Sequence, residues 1–326
     1  MNIDIYNKLF YINVFNNINN INFNKKINIV FINGGLRGLY YCGCCYFINK
    51  YINHKNIISI TGTSAGSLAA VILACNVDIY KCRYSYDILN KEYKKNNSII
   101  NSLKKICKFI LPNNAYKICN EKNVSIIVSK MTMTGIKRIV FNNFISNKHL
   151  IKCILASSYI PYIYSSGYKI FQNINNDYYI DGGFSEDLSY YLSCNNFDNC
   201  YNKVIFDPHM FYKFKHMLYP IDDDIDKLIL LGLYDSYKFF STNKNLENIY
   251  YYDINKHNNN NYKKNFNNIL MYIILFYIIN EILFLFNIKI NNTIYKIYKI
   301  QKIIINFIIL LILLYLLFIY KYKIIF

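Results

Sequence analysis

Ile57-Ile58-Ser59-Ile60-Thr61-Gly62-Thr63-Ser64-Ala65-Gly66-Ser67-Leu68-Ala69-Ala70-Val71-Ile72-Leu73 is the stretch that decides the fold. Ile57–Thr61 is a short β-branched run of strand type. From Ser64 onward, Ala65, Leu68, Ala69, Ile72 and Leu73 suit a closely packed helix. Between the two, Gly62-Thr63-Ser64-Ala65-Gly66 matches G-x-S-x-G, which sets a serine on a sharp strand-to-helix turn. Bulky neighbours would crowd that turn, and the helix N-terminus behind it favours developing negative charge. Ser64 is the candidate nucleophile, with Gly62 and Gly66 clearing its turn.

About thirty residues upstream the pattern recurs. Ile27–Ile32 reads as a buried strand, Asn33-Gly34-Gly35-Leu36-Arg37-Gly38 as a glycine turn, and Leu39–Lys50 as a helix. Strand, glycine turn and helix in alternation point to a parallel α/β sheet covered on both faces. The turn lacks the Lys-Ser/Thr pair of a phosphate-binding loop, and Asn33 stands where G-x-G-x-x-G needs glycine. Bare backbone N–H groups meeting a tetrahedral oxyanion are the alternative use. Arg37 is one of three arginines among 37 basic residues, so its fork geometry or its hold on the loop is needed there.

Asp181-Gly182-Gly183 follows a brief strand, Tyr178–Ile180. Asp-Gly is a common hairpin signal. Yet a serine nucleophile needs a base, and His54, His149, His209, His216 and His257 sit in no recognisable catalytic context. A carboxylate bonded to the serine hydroxyl serves as base where the site partly desolvates it. Seven of the chain's eleven glycines fall in these three clusters.

Composition bounds the rest. The net charge is +18, but the lysines are scattered and no nucleic-acid motif occurs, so an anionic membrane or codon bias explains the charge and no nucleic-acid partner is expected. The ten cysteines do not form a disulfide framework, and Cys42 and Cys45 make a lone C-x-x-C without a second pair, so no metal site is expected. Met1–Asn24 has no continuous apolar core of signal-peptide type, which fits a reducing compartment. Between Lys81 and Lys148 the pattern is weaker, with helical stretches and a strand around Arg138–Phe144. His149–Ser157 reads as helix, ending near Pro161.

The expected organisation is an Asn-rich lead-in (1–26), a catalytic domain (27–257), a polar linker (258–268) and a membrane-associated region (269–326). Ile303–Tyr320 is apolar apart from Asn306, and its eighteen residues make a helix of about 27 Å, close to a bilayer's hydrocarbon thickness. Lys296, Lys299 and Lys302 precede it and Lys321 and Lys323 follow, all able to reach the interface. Ile269–Phe286 is broken by Asn280 and Glu281 and fits either a second span or a buried helix. A tail anchor and a two-helix hairpin both remain open.

The order G-G-x-R-G, G-T-S-A-G, D-G-G resembles the patatin-like phospholipase family, including members from large DNA viruses with A/T-rich genomes. Ala156-Ser157-Ser158-Tyr159-Ile160-Pro161 is similar to the family's A-S-x-x-x-P segment, and the likeness runs from Ile27 to Ser189. The resemblance implies a three-layer α/β/α fold with a central, mostly parallel sheet, here followed by C-terminal hydrophobic helices. It implies Ser64 as nucleophile and Asp181 as base of a dyad. Gly34, Gly35 and Leu36 would supply oxyanion N–H groups, supported by Arg37, Gly38, Gly62, Gly66, Gly182 and Gly183, with no metal or cofactor. The expected substrate is a phospholipid or other glycerolipid at a membrane. This chain departs from the family at Asn33, where a glycine is usual, and at Asp187 and Ser189, where Asn and Pro often follow D-G-G. Two other readings are an α/β-hydrolase with a Ser–Asp–His triad, using His209, His216 or His257, and a catalytically idle membrane scaffold of the same fold.

Overall fold

The computed structural model describes residues 23, 25–96, 98–132, 135–161, 171–185, 202–208 and 225–242. The chain divides into two units, Met1–Tyr252 and Asp253–Phe326, and all of these residues belong to the first.

Strand β1 (Ile27–Phe31) is buried at all five positions. A 3-10 turn, Gly35–Gly38, leads into α1 (Leu39–Tyr51). Strand β2 (Ile57–Thr63) then runs into α2 (Ala65–Ala74), with Ser64 between them. Helices α3 (Ile79–Asn96), α4 (Ile99–Ile110) and α5 (Ala115–Glu121) follow. The chain returns to the sheet as β3 (Val124–Thr132) and β4 (Gly135–Phe141), then forms α6 (Asn147–Ser157). The remaining described elements are β5 (Gln172–Ile174), β6 (Asp177–Ile180), β7 (Asn202–Phe206) and α7 (Ile225–Thr242). Ser98 and Ser146 cap α4 and α6, their hydroxyls accepting from the N–H of Asn101 and His149; such caps contribute about 1 kcal/mol each.

The sheet order is β5-β6-β3-β2-β1-β7, with β4 also on β3. Four strands, β3-β2-β1-β7, are parallel. The other three pair antiparallel, so the expected mostly parallel sheet is a parallel core with an antiparallel arm. Alternation along β1 sends Ile29 and Phe31 into one apolar layer, while Val30 and Ile32 join Ile127 and Ile205 in another. Burial on both faces is what a central sheet between two helical layers requires. The architecture is three-layer α/β/α.

One arrangement sets the site. Strand β4 occupies one edge of β3 from Ile126 to Thr132. The opposite edge is shared: β2 pairs up to Thr63 opposite Ile127, and β6 pairs from Ser129, opposite Ile180. The two strands run towards each other and stop on either side of Val128.

Helices α1 and α7 touch backbone to backbone. A Cβ on Gly43 would stand 1.9 Å from the Ile229 carbonyl oxygen, and one on Gly232 1.9 Å from that of Tyr40. At the same contact, buried Tyr40 donates its hydroxyl to Asp235 at 3.1 Å. From the Asn-rich lead-in, Phe23 is buried edge-on against Phe240. Among the described residues no helix is long and apolar enough to cross a membrane. The run expected to do so, Ile303–Tyr320, and the run that fits either a span or a buried helix, Ile269–Phe286, lie outside the described residues.

Candidate active site

Ser64 joins β2 to α2 with φ 54° and ψ −126°. A non-glycine residue in that region costs about 1–3 kcal/mol and persists only where its surroundings hold it. The glycines on either side make the turn possible. A Cβ on Gly62 would lie 2.2 Å from the Gly66 carbonyl oxygen, and one on Gly66 2.1 Å from that of Phe31. Both distances are far inside van der Waals contact, so only glycine fits.

Asp181 follows β6 and caps the short turn Gly182–Phe184. The Ser64 hydroxyl donates to Asp181 Oδ2 at 2.6 Å. The Gly183 N–H donates to Oδ1 at 2.8 Å, holding the carboxylate from its other side. Serine and aspartate are 3 % and 4 % exposed. Burial pushes the Asp181 carboxyl up to about 7, against the opposing pull of the hydrogen bonds from Ser64 and Gly183. A carboxylate poised there changes its proton occupancy near neutrality, as a general base requires.

An apolar cavity of about 110 Å³ adjoins Ser64. Ser64, Ser158, Gly35 and Leu36 line it at the chemical end, while α2, α3 and α4 wall the rest with residues such as Leu68, Ile72, Leu89 and Ile106. Such a lining suits an alkyl chain. Gly35 has φ 54°. The first hydrogen bond of its turn is from the Arg37 N–H to the Gly34 carbonyl, at 3.1 Å. The N–H groups of Gly35 and Leu36 precede it and, like the leading donors of any helical turn, have no partner within the turn. Gly34 lies beneath, beside Tyr41 and Pro208, and Arg37 is buried. Gly38 packs beside Ala65 of the Ser64 turn.

Of the five histidines, two are described. His54 sits before β2, at the opposite end of that strand from Ser64, beside the Lys122 ammonium. His149 is in the first turn of α6, against Phe141 and Phe144. His209, His216 and His257 lie outside the described residues, as do Asp187 and Ser189. Cys42, Cys44 and Cys45 are free thiols buried along α1.

A patatin-like phospholipase family model matches residues 29–190. Human patatin-like phospholipase domain-containing protein 4 is 30% identical over 182 residues, covering 50% of this chain and 67% of the relative. The chain belongs to the patatin-like phospholipase family. Solved structures similar to it include VipD of Legionella pneumophila, with 14% identity, TM-score 0.31, and coverage of 50% of this chain and 46% of that one. Another is the ExoU–SpcU complex of Pseudomonas aeruginosa, with 14% identity, TM-score 0.40, and coverage of 66% and 51%. The chain spans about half the length of these two structures.

At the position where patatin-like chains usually carry a first glycine, Asn33 reaches across to the aspartate loop. Its amide nitrogen stands 3.1 Å from where a Gly183 Cβ would be. Several residues that shape this patatin-like site did not stand out in the sequence. Ser67 donates its hydroxyl to the Ser64 carbonyl at 2.6 Å, and Ser129 donates to Ser185 Oγ at 2.8 Å behind the aspartate loop. Serines are frequent and carry no spacing signature, so no sequence signal marked them.

Proposed function

We propose that this protein is a phospholipase A-type lipid acyl hydrolase working through a Ser64–Asp181 dyad. The observation that carries the reading is the 2.6 Å hydrogen bond from a strained, buried serine to a buried aspartate beside an apolar cavity. Asp181 takes the hydroxyl proton as Ser64 Oγ attacks a glycerolipid ester carbonyl. The N–H groups of Gly34, Gly35 and Leu36 receive the oxyanion, as preorganised backbone donors do. The tetrahedral intermediate collapses to an acyl-enzyme, with the proton on Asp181 passing to the departing lysolipid alcohol. Water, deprotonated by Asp181, then adds to the acyl carbonyl. The second tetrahedral intermediate breaks its bond to Ser64 Oγ, which takes the proton back from Asp181 as the free fatty acid leaves. The cavity walled by α2, α3 and α4 takes the acyl chain.

Membrane attachment belongs to the same proposal and rests on the sequence of residues 269–326 and on the net charge of +18. The C-terminal apolar runs hold the enzyme at the bilayer, with the catalytic domain in a reducing compartment.

The test is fatty-acid release from phospholipid vesicles by the full-length protein beside Ser64→Ala and Asp181→Asn. Each variant is expected to lose roughly 10³-fold or more in kcat. Unchanged release by either sinks the dyad. Loss of activity on combined replacement of His209, His216 and His257, with Asp181→Asn still active, would favour a histidine triad instead.

A further inference from the structure

The segment Ala156-Ser157-Ser158-Tyr159-Ile160-Pro161 supplies no group to the chemistry above, yet three consecutive residues of it touch both members of the dyad. Ser157 ends α6. Its Oγ accepts the Ser64 N–H at 2.8 Å and donates its own proton to the Ile127 carbonyl at 2.6 Å. Ser158 donates its hydroxyl to the Ser64 carbonyl at 3.1 Å. The Tyr159 carbonyl accepts the Asp181 N–H at 2.8 Å. Ser157 and Tyr159 are fully buried, and Ser158 is nearly so.

The direction of these bonds matters. A hydroxyl has one proton. That of Ser157 is engaged by Ile127, whose strand neighbour across β3 is Thr63, the residue before the nucleophile. Ser157 Oγ therefore faces Ser64 as an acceptor. Ser64 is gripped at its N–H by Ser157 and at its carbonyl by Ser158 and Ser67, across a backbone conformation that does not hold itself. On the other side Tyr159 grips the Asp181 backbone. Ser64 and Asp181 sit 117 residues apart in sequence, each one residue past the end of its strand. Register along β3 brings the two strand ends close, and the residues that hold the two turns set the final gap between the side chains.

We propose that Ser157, Ser158 and Tyr159 form a positioning bracket that sets the nucleophile–base distance, with the Ser157 hydroxyl as its central member. The inference rests on Ser64 being the nucleophile. Ser157 touches no reacting atom and acts through the Ser64 backbone. Without its hydroxyl, the Ser64 N–H and one lone pair of Ile127 lose their partner, the elbow relaxes from its strained φ, and Oγ swings from Asp181.

The test is the rate at which a fluorophosphonate labels Ser64 in the full-length protein, as a function of pH, for wild type, Ser157→Ala, Ser157→Thr and Ser158→Ala, with melting temperatures alongside. Misplacement of a reacting group by an ångström costs up to about 10²-fold, so Ser157→Ala is expected to label roughly ten- to a hundredfold more slowly while still folded. The Ser64 hydrogen bond holds the Asp181 carboxyl down. Its loosening is therefore expected to move the midpoint of the labelling profile upward, which loss of stability alone would not do. Ser157→Thr keeps the hydroxyl and is expected to recover most of the rate and the midpoint.

Wild-type labelling by Ser157→Ala, with an unmoved midpoint, overturns the bracket, as does equal slowing in the Ala and Thr variants with no shift. If Ser157→Ala does not fold, Ser158→Ala decides: slower labelling with a raised midpoint supports the bracket, and a wild-type profile overturns it. Folded wild type that does not label at Ser64 overturns the nucleophile itself and the inference with it, a result distinct from any failure confined to the variants.

Discussion

Ser64 and Asp181, 2.6 Å apart, follow directly on two strands that end on the same edge of β3, one from each direction. Thr63 pairs with Ile127 and Ile180 with Ser129, leaving the single residue Val128 between the two strand ends. A strand rises about 3.3 Å per residue, so a two-residue offset brings the following side chains within hydrogen-bond reach. A slip of one residue in either pairing would separate them.

That proximity has a pH signature. In the proposed dyad Asp181 must be ionised to accept the Ser64 proton, and burial holds its carboxyl up to about 7. Turnover of a soluble ester is expected to rise with pH with a midpoint near 7. A kcat/KM profile with its acid limb near 4 instead would show that burial does not govern the base.

The same shift acts on stability with a definite sign. Asp181 ionises near 7 in the folded chain and at the ordinary carboxylate value when unfolded, so between those pH values the folded state binds more protons. Stability from this group is complete at low pH and falls as pH rises through 7. Asp181→Asn removes the cost of a buried charge and is expected to be more stable than wild type at pH 8, by an amount on the order of a few kcal/mol. The gain should shrink towards pH 4, and calorimetry at both pH values checks it.

Gly62→Ala and Gly66→Ala each drive a methyl into backbone at 2.1–2.2 Å. Neither turn nor strand can yield without losing sheet pairing, so each is expected to cost about 4 kcal/mol or more. Denaturant titration measures this, and a loss under about 1 kcal/mol would contradict the packing.

Ala69 and Ile72 line the apolar cavity five and eight residues along α2 from Ser64, at about 7.5 and 12 Å by helix rise. Ala69→Phe is expected to shift hydrolysis towards shorter acyl chains, and Ile72→Ala towards longer ones, read from the fatty acids released by mixed vesicles. An unchanged chain-length profile in both would remove the cavity from substrate binding.

Cys75 is half-buried, and a hydrogen bond from Cys119 together with the nearby Lys122 ammonium lowers its pKa. The other seven described cysteines are buried. Brief alkylation of native protein followed by peptide mapping should modify Cys75 first among these eight. Equal modification of Cys44 or Cys107 would mean that the core opens readily.

The site was legible where local backbone chemistry dictates residue type. The Ser64 turn excludes any side chain at Gly62 and Gly66, and Asp181 caps its own turn through the Gly183 N–H, so both left marks in the sequence. The expected strands at Ile27–Ile32, Ile57–Thr61 and Tyr178–Ile180 fall within a residue or two of those observed. Strand β3 was missed although it organises the site: Ser125, Ser129 and Lys130 interrupt its apolar run, and its pairing on both edges is a long-range property. Strand β7 and helix α7 were missed as well; the glycine contact that seats α7 on α1 joins Gly43 and Gly232, far apart in the chain.

By itself the sequence determined the Ser64 turn, the glycine loop before it and the aspartate turn, because each is a local conformation that few residue types tolerate. Only the tertiary structure decided that Asp181 reaches Ser64, that Ser157 to Tyr159 bridge the two, and that the carboxyl titrates near neutrality. Those properties come from strand register along β3, from hydrogen bonds between α6 and the two turns, and from burial, all of which arise between segments well separated in the chain.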